Sequence, residues 1–350
     1  MTAGQVRRTA SDWILTNGSE IPGFCGAFFA GSINWTDEDV EWPATSDVDV
    51  FVVVDSTETS ELERGIRHYG LDDVLLEVSV FASERFQTAE EVLSDYPMAC
   101  HFSVSSIITD ATGKLNELHN DVSGHYAERK WIRKRIQQLN ESVLSEMEEG
   151  PFDLFFTVTR TAQVLLLANL LSPTWRKALM ISREILASMN NLSLHEKMLE
   201  FFGCADLDPG EVESLFTQCA TAFEYAKGIV CTPFVGDVNI SDLARPKWIG
   251  GSREVIDMGY HREAVPWMLV IRSLCQTAIN NDAPEDLKDR YDEEYKGILE
   301  RLGLGSSPDY EQRAVLGREM LKETMHAAEV VMKRNPDVID SDSKSNPSIQ

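Results

Sequence analysis

The stretch DVDVFVVV, residues 47–54, decides the fold of the first part of this 350-residue chain. Its run of β-branched and aromatic residues is typical of a buried strand, because such side chains pack well on a pleated sheet. Successive side chains of a strand point to opposite faces, so Asp47 and Asp49 share one face while Val48 takes the other. The pattern therefore predicts two carboxylates close together within an otherwise apolar strand.

Two further apolar runs lie on either side of this strand in the sequence. FCGAFFAGS, residues 24–32, ends in the pair Gly31-Ser32, and LLEVSVF, residues 75–81, carries Glu77 at its centre. We predict that the three runs are strands of one buried sheet. Helical spacing of apolar and charged residues predicts helices over residues 5–17, 59–69 and 88–95 and after residue 113.

The pattern changes from about residue 126, where long segments with a 3.6-residue period and good helix formers begin. The predicted fold class is α/β, more specifically α+β: a domain with a small mixed sheet, followed by an all-α helical domain. We place the first domain at residues 1–125 and the second at residues 126–335. The polar residues 336–350 are predicted to be a disordered tail.

Composition excludes several classes of function. The chain has 32 Lys and Arg against 57 Asp and Glu, a net charge of −25 that would repel a phosphate backbone and argues against a nucleic-acid partner. No stretch approaches the roughly 20 apolar residues of a membrane span, and we expect a cytoplasmic protein with no membrane partner. The 6 cysteines form no CxxC pair and are predicted to be reduced thiols.

The acidic pair indicates a metal and phosphate site. Two adjacent carboxylates, Asp47 and Asp49, raise each other's pKa unless a cation neutralises them, and Mg²⁺ with a nucleoside triphosphate takes hard oxygen ligands of this kind. Gly31 lets the backbone approach phosphate oxygens, and Ser32 can donate to them. Glu77 is a third metal ligand or the base for an attacking hydroxyl. Each of these motifs is common by itself. Their occurrence together in apolar strands favours a functional site, because burying carboxylates without a partner is costly.

These motifs resemble the nucleotidyltransferase superfamily of the DNA polymerase β type and, within it, the bacterial antibiotic nucleotidyltransferases of the streptomycin/spectinomycin (aminoglycoside) adenylyltransferase group. The resemblance extends over about residues 5–190 and includes the aspartate-x-x-glycine turn at residues 110–113 and the helix FTVTR at residues 156–160. It implies that the first domain is the catalytic nucleotidyltransferase domain and that the helical domain binds substrate and clamps the nucleotide.

The resemblance also implies roles for single residues. The glutamate that matches Glu77 is taken as the catalytic base of the group, and the arginine that matches Arg160 contacts the triphosphate. The lysine that should directly follow the proline of the next turn is Thr174 in this chain. Lys177 lies about one helical turn further on and is a candidate replacement for binding the nucleotide.

The function implied is Mg²⁺-dependent transfer of a nucleoside monophosphate, AMP from ATP, to a hydroxyl of a small acceptor, with an aminoglycoside-type antibiotic as the candidate. A cationic acceptor needs an acidic lining, and Glu146, Glu148 and Glu149 are candidates, although three glutamates at a helix end are also typical of a solvated surface. Two alternatives stay open: adenylylation of a protein or RNA target by a toxin-like enzyme, and a non-catalytic nucleotide-binding module. The sequence does not set the oligomeric state.

Overall fold

A computed structural model describes residues 1–55, 66–72, 74–146 and 151–340 of the chain. Within these residues, five strands form one mixed sheet in the order β3-β4-β2-β1-β5. The strands are β1 (Phe24–Ala30), β2 (Val48–Val54), β3 (Arg67–Leu71), β4 (Val74–Ala82) and β5 (Ile107–Asp110). β2 and β4 run parallel, and the other neighbouring pairs run antiparallel.

The three predicted strands are confirmed as β1, β2 and β4, but the sheet also includes β3 and β5 at its edges. The predicted helix over residues 59–69 is wrong for residues 67–69, which belong to β3 and pair with β4. Pairing along the free edge of β4 satisfies its backbone groups, and this gain outweighs a helical pattern of charges. The remainder of that predicted helix, up to residue 65, lies outside the described residues.

Helices cover both faces of the sheet in the first part of the chain. They are α1 (Ala3–Asn17), α2 (Ala89–Ser94), α3 (Ala99–Phe102) and α4 (Lys114–His125). α1 begins with a capping box at Thr2 and packs Val6 and Ile14 against the face of the sheet that carries Val48. The other face carries Phe28 and packs against Leu115 of α4, among others. Apolar side chains therefore pack on both faces of the central strands, as their continuous apolar sequence predicts.

In the second part of the chain, the regular elements among the described residues are all helices, joined by loops such as residues 169–177 and 230–236. Its helices are α5 (Arg129–Glu146), α6 (Pro151–Ala168), α7 (Ala178–Ser188), α8 (Leu192–Phe202), α9 (Pro209–Ile229), α10 (Gly251–Asp257), α11 (His261–Asp282), α12 (Glu285–Arg301) and α13 (Ser307–Arg334). They share one large apolar core, to which α6 and α11 contribute long buried runs. A mixed α/β region followed by helices agrees with the predicted fold class, while the division at residue 125 stays a prediction.

The predicted tail does not begin as a free segment. Ile339 forms a short parallel bridge with Glu128, in which the amide of Ile339 donates to the carbonyl of Ala127 at 2.9 Å. Residues 339 and 340 thus lie against the start of α5, and residues 341–350 lie outside the described residues. None of the described helices combines the length and the apolar character that a membrane span needs.

Candidate functional site

One row of the sheet brings the predicted carboxylates together. Asp49 of β2 is the register partner of Ala30 on β1 and of Glu77 on β4, and Glu77 is in turn the partner of His68 on β3. Register partners point to the same face and lie side by side, so Asp49, Glu77 and His68 form a polar row. Asp47 comes directly before β2 and, two residues from Asp49, faces the same side.

The three acidic side chains converge. Oxygen atoms of Asp47, Asp49 and Glu77 all lie within 4.8 Å of one another. Glu77 is buried, and Asp47 and Asp49 are partly buried. Three hard oxygen donors at this spacing leave room for a small divalent cation and for further oxygen ligands from water or phosphate.

Gly31 is required by this packing. Its backbone has φ +65°, and a Cβ there would lie only 2.0 Å from Oδ2 of Asp49. An L-residue is strained at such a φ and would also push the carboxylate aside. Gly31 and Ser32 open a 3₁₀ turn, Gly31–Trp35, in which Ser32 is exposed. The turn therefore holds Asp49 from one side and presents Ser32 to solvent on the other.

A lysine from the helical part reaches into the carboxylates. Lys247 lies in a π-helical turn, Pro246–Gly250, and its Nζ is 2.6 Å from Oδ2 of Asp47 and 2.5 Å from Oε2 of Glu77. Its side chain is only 14% exposed. One ammonium thus joins two of the three carboxylates and links the helical part to the sheet. π-Helical turns are rare and are found frequently at functional sites.

The pKa values of Asp49 and Glu77 are shifted in opposite directions. Burial, together with the negative charges of Asp47 and Glu77, raises the pKa of Asp49 well above its ordinary value. Burial alone would raise the pKa of Glu77 too, but the Lys247 ammonium and the contact with His68 lower it to about 2. The pKa of Lys247 is raised by Asp47 and Glu77 although burial acts against this. Asp49 therefore holds a proton more readily than Glu77 does.

His68 joins Glu77 to the helical part on the other side. Its Nε2 is 3.1 Å from Oε2 of Glu77, and its Nδ1 is 3.1 Å from the carbonyl oxygen of Val238. Both ring nitrogens face oxygen atoms. His68 thus fixes the orientation of the Glu77 carboxylate.

A second polar network holds the chain before Asp47. Nη1 of Arg176 donates to the carbonyl oxygens of Thr45 at 2.8 Å and of Lys247 at 3.2 Å. Glu254 accepts from the Thr45 hydroxyl at 2.6 Å and from Nζ of Lys177 at 2.6 Å. Arg176 therefore ties the backbone that presents Asp47 to the backbone that presents Lys247.

The remaining predicted residues have other partners or lie outside the described residues. Lys177 pairs with Glu254 and not with the carboxylates in the described contacts. The Arg160 guanidinium lies over the rings of Phe156, at 5.2 Å, and of Trp175, at 6.0 Å. α5 ends at residue 146, whose side chain is outside the described parts of the structure, as are residues 148 and 149 entirely. The prediction for Glu146, Glu148 and Glu149 is thus not addressed by the structure.

Sequence reasoning missed Lys247, His68 and Arg176. Lys247 follows a proline in the least regular segment of the helical part, and its partner Glu77 is 170 residues away in the sequence. The one local signal of an irregular turn is the segment RPKWIGG, residues 245–251, where Lys247 follows a proline and precedes two glycines within a helical region.

The donor set fits a divalent metal. Three carboxylate oxygens are the ligands that Mg²⁺ prefers, and the Lys247 ammonium shows that the site attracts positive charge. No protein-family model matches this chain, and no curated protein matches it either. The family resemblance therefore stays a prediction, and the geometry of the three carboxylates carries the functional proposal.

Proposed function

We propose that the protein is a Mg²⁺-dependent nucleotidyltransferase, which moves a nucleoside monophosphate from a triphosphate to a hydroxyl of a small acceptor. The observation that carries the proposal is the convergence of Asp47, Asp49 and Glu77 within 4.8 Å, directly beside the Gly31-Ser32 turn. By the family resemblance, the donor is ATP and the group transferred is AMP.

The residues of the site have distinct roles in this proposal. Asp47 and Asp49 would hold the metal, with Glu77 as a third ligand or as the base, and the bound metal would supply positive charge that offsets the charge of the triphosphate and of the transition state. Ser32, exposed at the start of its turn, offers its hydroxyl and amide to phosphate oxygens. Arg160 and Lys177 are proposed as further phosphate contacts from the helical part.

The proposed reaction is an in-line displacement at the α-phosphorus. The oxygen of the acceptor hydroxyl forms a bond to that phosphorus, and the bond from the α-phosphorus to its bridging oxygen breaks. Pyrophosphate leaves with the electron pair of the broken bond, and the hydroxyl proton passes to the carboxylate of Glu77. A carboxylate in direct contact with an ammonium is a weak base, so Glu77 acts in this step only when Lys247 no longer neutralises it.

By the family resemblance, the acceptor is proposed to bind near the junction of the two parts. An aminoglycoside-type antibiotic, with several ammonium groups, would be attracted by Glu146, Glu148 and Glu149. We expect its KM to rise with ionic strength as the Debye length shortens from about 10 Å at 0.1 M to about 3 Å at 1 M. Changing all three glutamates to Gln should remove this salt dependence and leave the KM for ATP unchanged. An unchanged acceptor KM in that variant would favour an uncharged acceptor.

A non-catalytic nucleotide-binding protein is the second candidate, and the Lys247 contact is the observation that favours it. An ammonium that permanently neutralises Asp47 and Glu77 would leave fewer free ligand atoms for a metal.

Incubation with ATP, Mg²⁺ and a panel of aminoglycosides and lincosamides, read by mass spectrometry of the acceptors, distinguishes the two candidates. A mass increase of one adenylyl group, absent in Asp47→Asn, supports the transferase. Nucleotide binding with no modified acceptor, in the panel or in a cell extract, supports the binding protein.

A further inference from the structure

Lys247 contacts two of the three carboxylates that could hold a metal. Its ammonium is 2.6 Å from Oδ2 of Asp47 and 2.5 Å from Oε2 of Glu77, and both carboxylates belong to the group of three that converges within 4.8 Å. A Mg²⁺ ion binds carboxylate oxygens at about 2.0–2.1 Å. A divalent metal and the ammonium bound to the same two oxygens would repel each other strongly, because the two cations would lie close together in a partly buried site.

The backbone that carries Lys247 is firmly anchored. The neighbouring Trp248 stacks on Trp267 with ring centroids 3.9 Å apart, and its Nε1 donates to Oδ1 of Asn239 at 3.0 Å. Arg176 donates to the carbonyl oxygen of Lys247 itself. The Lys247 ammonium can therefore leave the carboxylates by rotation of its flexible four-carbon side chain, while the π-helical turn stays in place.

We propose that Lys247 is a built-in competitor of the catalytic metal: its ammonium neutralises Asp47 and Glu77 in the metal-free protein, and a divalent cation binds only by displacing it. This inference rests on the metal site of the proposed function. A metal that arrives alone leaves the displaced ammonium without its partners. A metal that arrives with a triphosphate brings phosphate oxygens that can pair with the displaced ammonium, so metal and nucleotide bind cooperatively.

Binding of Mn²⁺ alone, followed by electron paramagnetic resonance without nucleotide, tests the proposal. Lys247→Met removes the competing charge, and we expect its affinity for Mn²⁺ to rise by about tenfold or more. The cooperativity between Mn²⁺ and a non-hydrolysable ATP analogue should shrink by the same factor. Lys227→Met is the matched control, because the Lys227 ammonium also bridges two carboxylates, Glu224 and Asp242, that are not part of the site, and its removal should leave Mn²⁺ affinity unchanged.

A measurement on the unmodified protein covers the case in which Lys247→Met fails to fold. Lysine acetylation, quantified by peptide mass spectrometry, should modify Lys247 slowly in the metal-free protein and at least several times faster when Mn²⁺ is added. Unchanged reactivity of Lys247 with Mn²⁺ bound, or an unchanged or lower Mn²⁺ affinity in a folded Lys247→Met protein, overturns the competition. If adenylyl transfer still occurs in that case, only this inference fails. If neither protein binds Mn²⁺, the proposed metal-dependent function fails with it.

Discussion

Replacement of Gly31 by alanine tests whether the turn after β1 positions Asp49. A Cβ at residue 31 would lie 2.0 Å from Oδ2 of Asp49, and the backbone there has φ +65°. The left-handed conformation costs an alanine about 1–2 kcal/mol. Since no non-bonded pair of heavy atoms approaches as closely as 2.0 Å, the carboxylate must also move. We expect Gly31→Ala to lower the free energy of unfolding by at least about 1–2 kcal/mol and to weaken Mn²⁺ binding by about 10–100-fold.

Gly113→Ala is the matched control for this experiment. Gly113 has φ +79°, but a Cβ there would meet nothing within 4 Å. It therefore carries the same backbone strain without the contact, and we expect a comparable loss of stability with normal Mn²⁺ affinity. Urea unfolding and a Mn²⁺ titration measure the two quantities. Equal Mn²⁺ affinity in the two variants would refute the conclusion that Gly31 sets the position of the Asp49 carboxylate.

Three further changes separate catalysis, anchoring and ionisation. Glu77→Gln should keep nucleotide binding but lower turnover by roughly 10²–10⁴-fold if Glu77 is chiefly the base; equal loss of binding in a nucleotide titration would make it chiefly a metal ligand. Arg176→Met should lower the free energy of unfolding by about 2–3 kcal/mol, because it leaves partly buried acceptors without their charged donor, whereas Arg290→Met, in an exposed pair, should cost less than about 0.5 kcal/mol; similar losses in urea unfolding would contradict the anchoring role. Burial lowers the pKa of His101 to about 3, below the unfolded value of about 6.5. The stability that comes from keeping this imidazole neutral is thus present above pH 6.5. It is lost as the pH falls, by about 2 kcal/mol between pH 7 and 5. In urea unfolding, His101→Phe should lose less stability than the unchanged protein over this pH range, and an unchanged pH dependence would argue against a buried neutral imidazole.

The sequence predicts the central strands well because their information is local. β1, β2 and β4 are continuous apolar runs bounded by polar residues and turns, and they occur where the pattern places them. β3 and β5 are short edge strands, and the sequence of β3, RHYGL, has no apolar alternation. Such strands form because a neighbouring strand offers unpaired backbone groups. This pairing depends on the tertiary structure, so the local sequence pattern does not predict it.

The same distinction separates the predicted from the missed residues of the site. Asp47 and Asp49 are two residues apart on one strand, so their shared face follows from strand geometry alone. Glu77 follows once its strand is placed beside theirs. Lys247 reaches the site from a π-helical turn whose position depends on packing between the helical part and the sheet. No pattern within residues 245–251 specifies where that side chain will point.

The most direct test of the central claim is to follow which phosphate of ATP is transferred. The protein is incubated with Mg²⁺ and with ATP labelled at either the α- or the γ-phosphate. The acceptor found in the panel experiment, or a cell extract, supplies the hydroxyl. Nucleotidyl transfer predicts that only the α-label becomes attached to the acceptor, that pyrophosphate appears in equal amount, and that Asp47→Asn and Asp49→Asn lose the transfer with their metal affinity. Transfer of the γ-label, or α-label transfer that survives in Asp47→Asn and without divalent metal, would contradict the account.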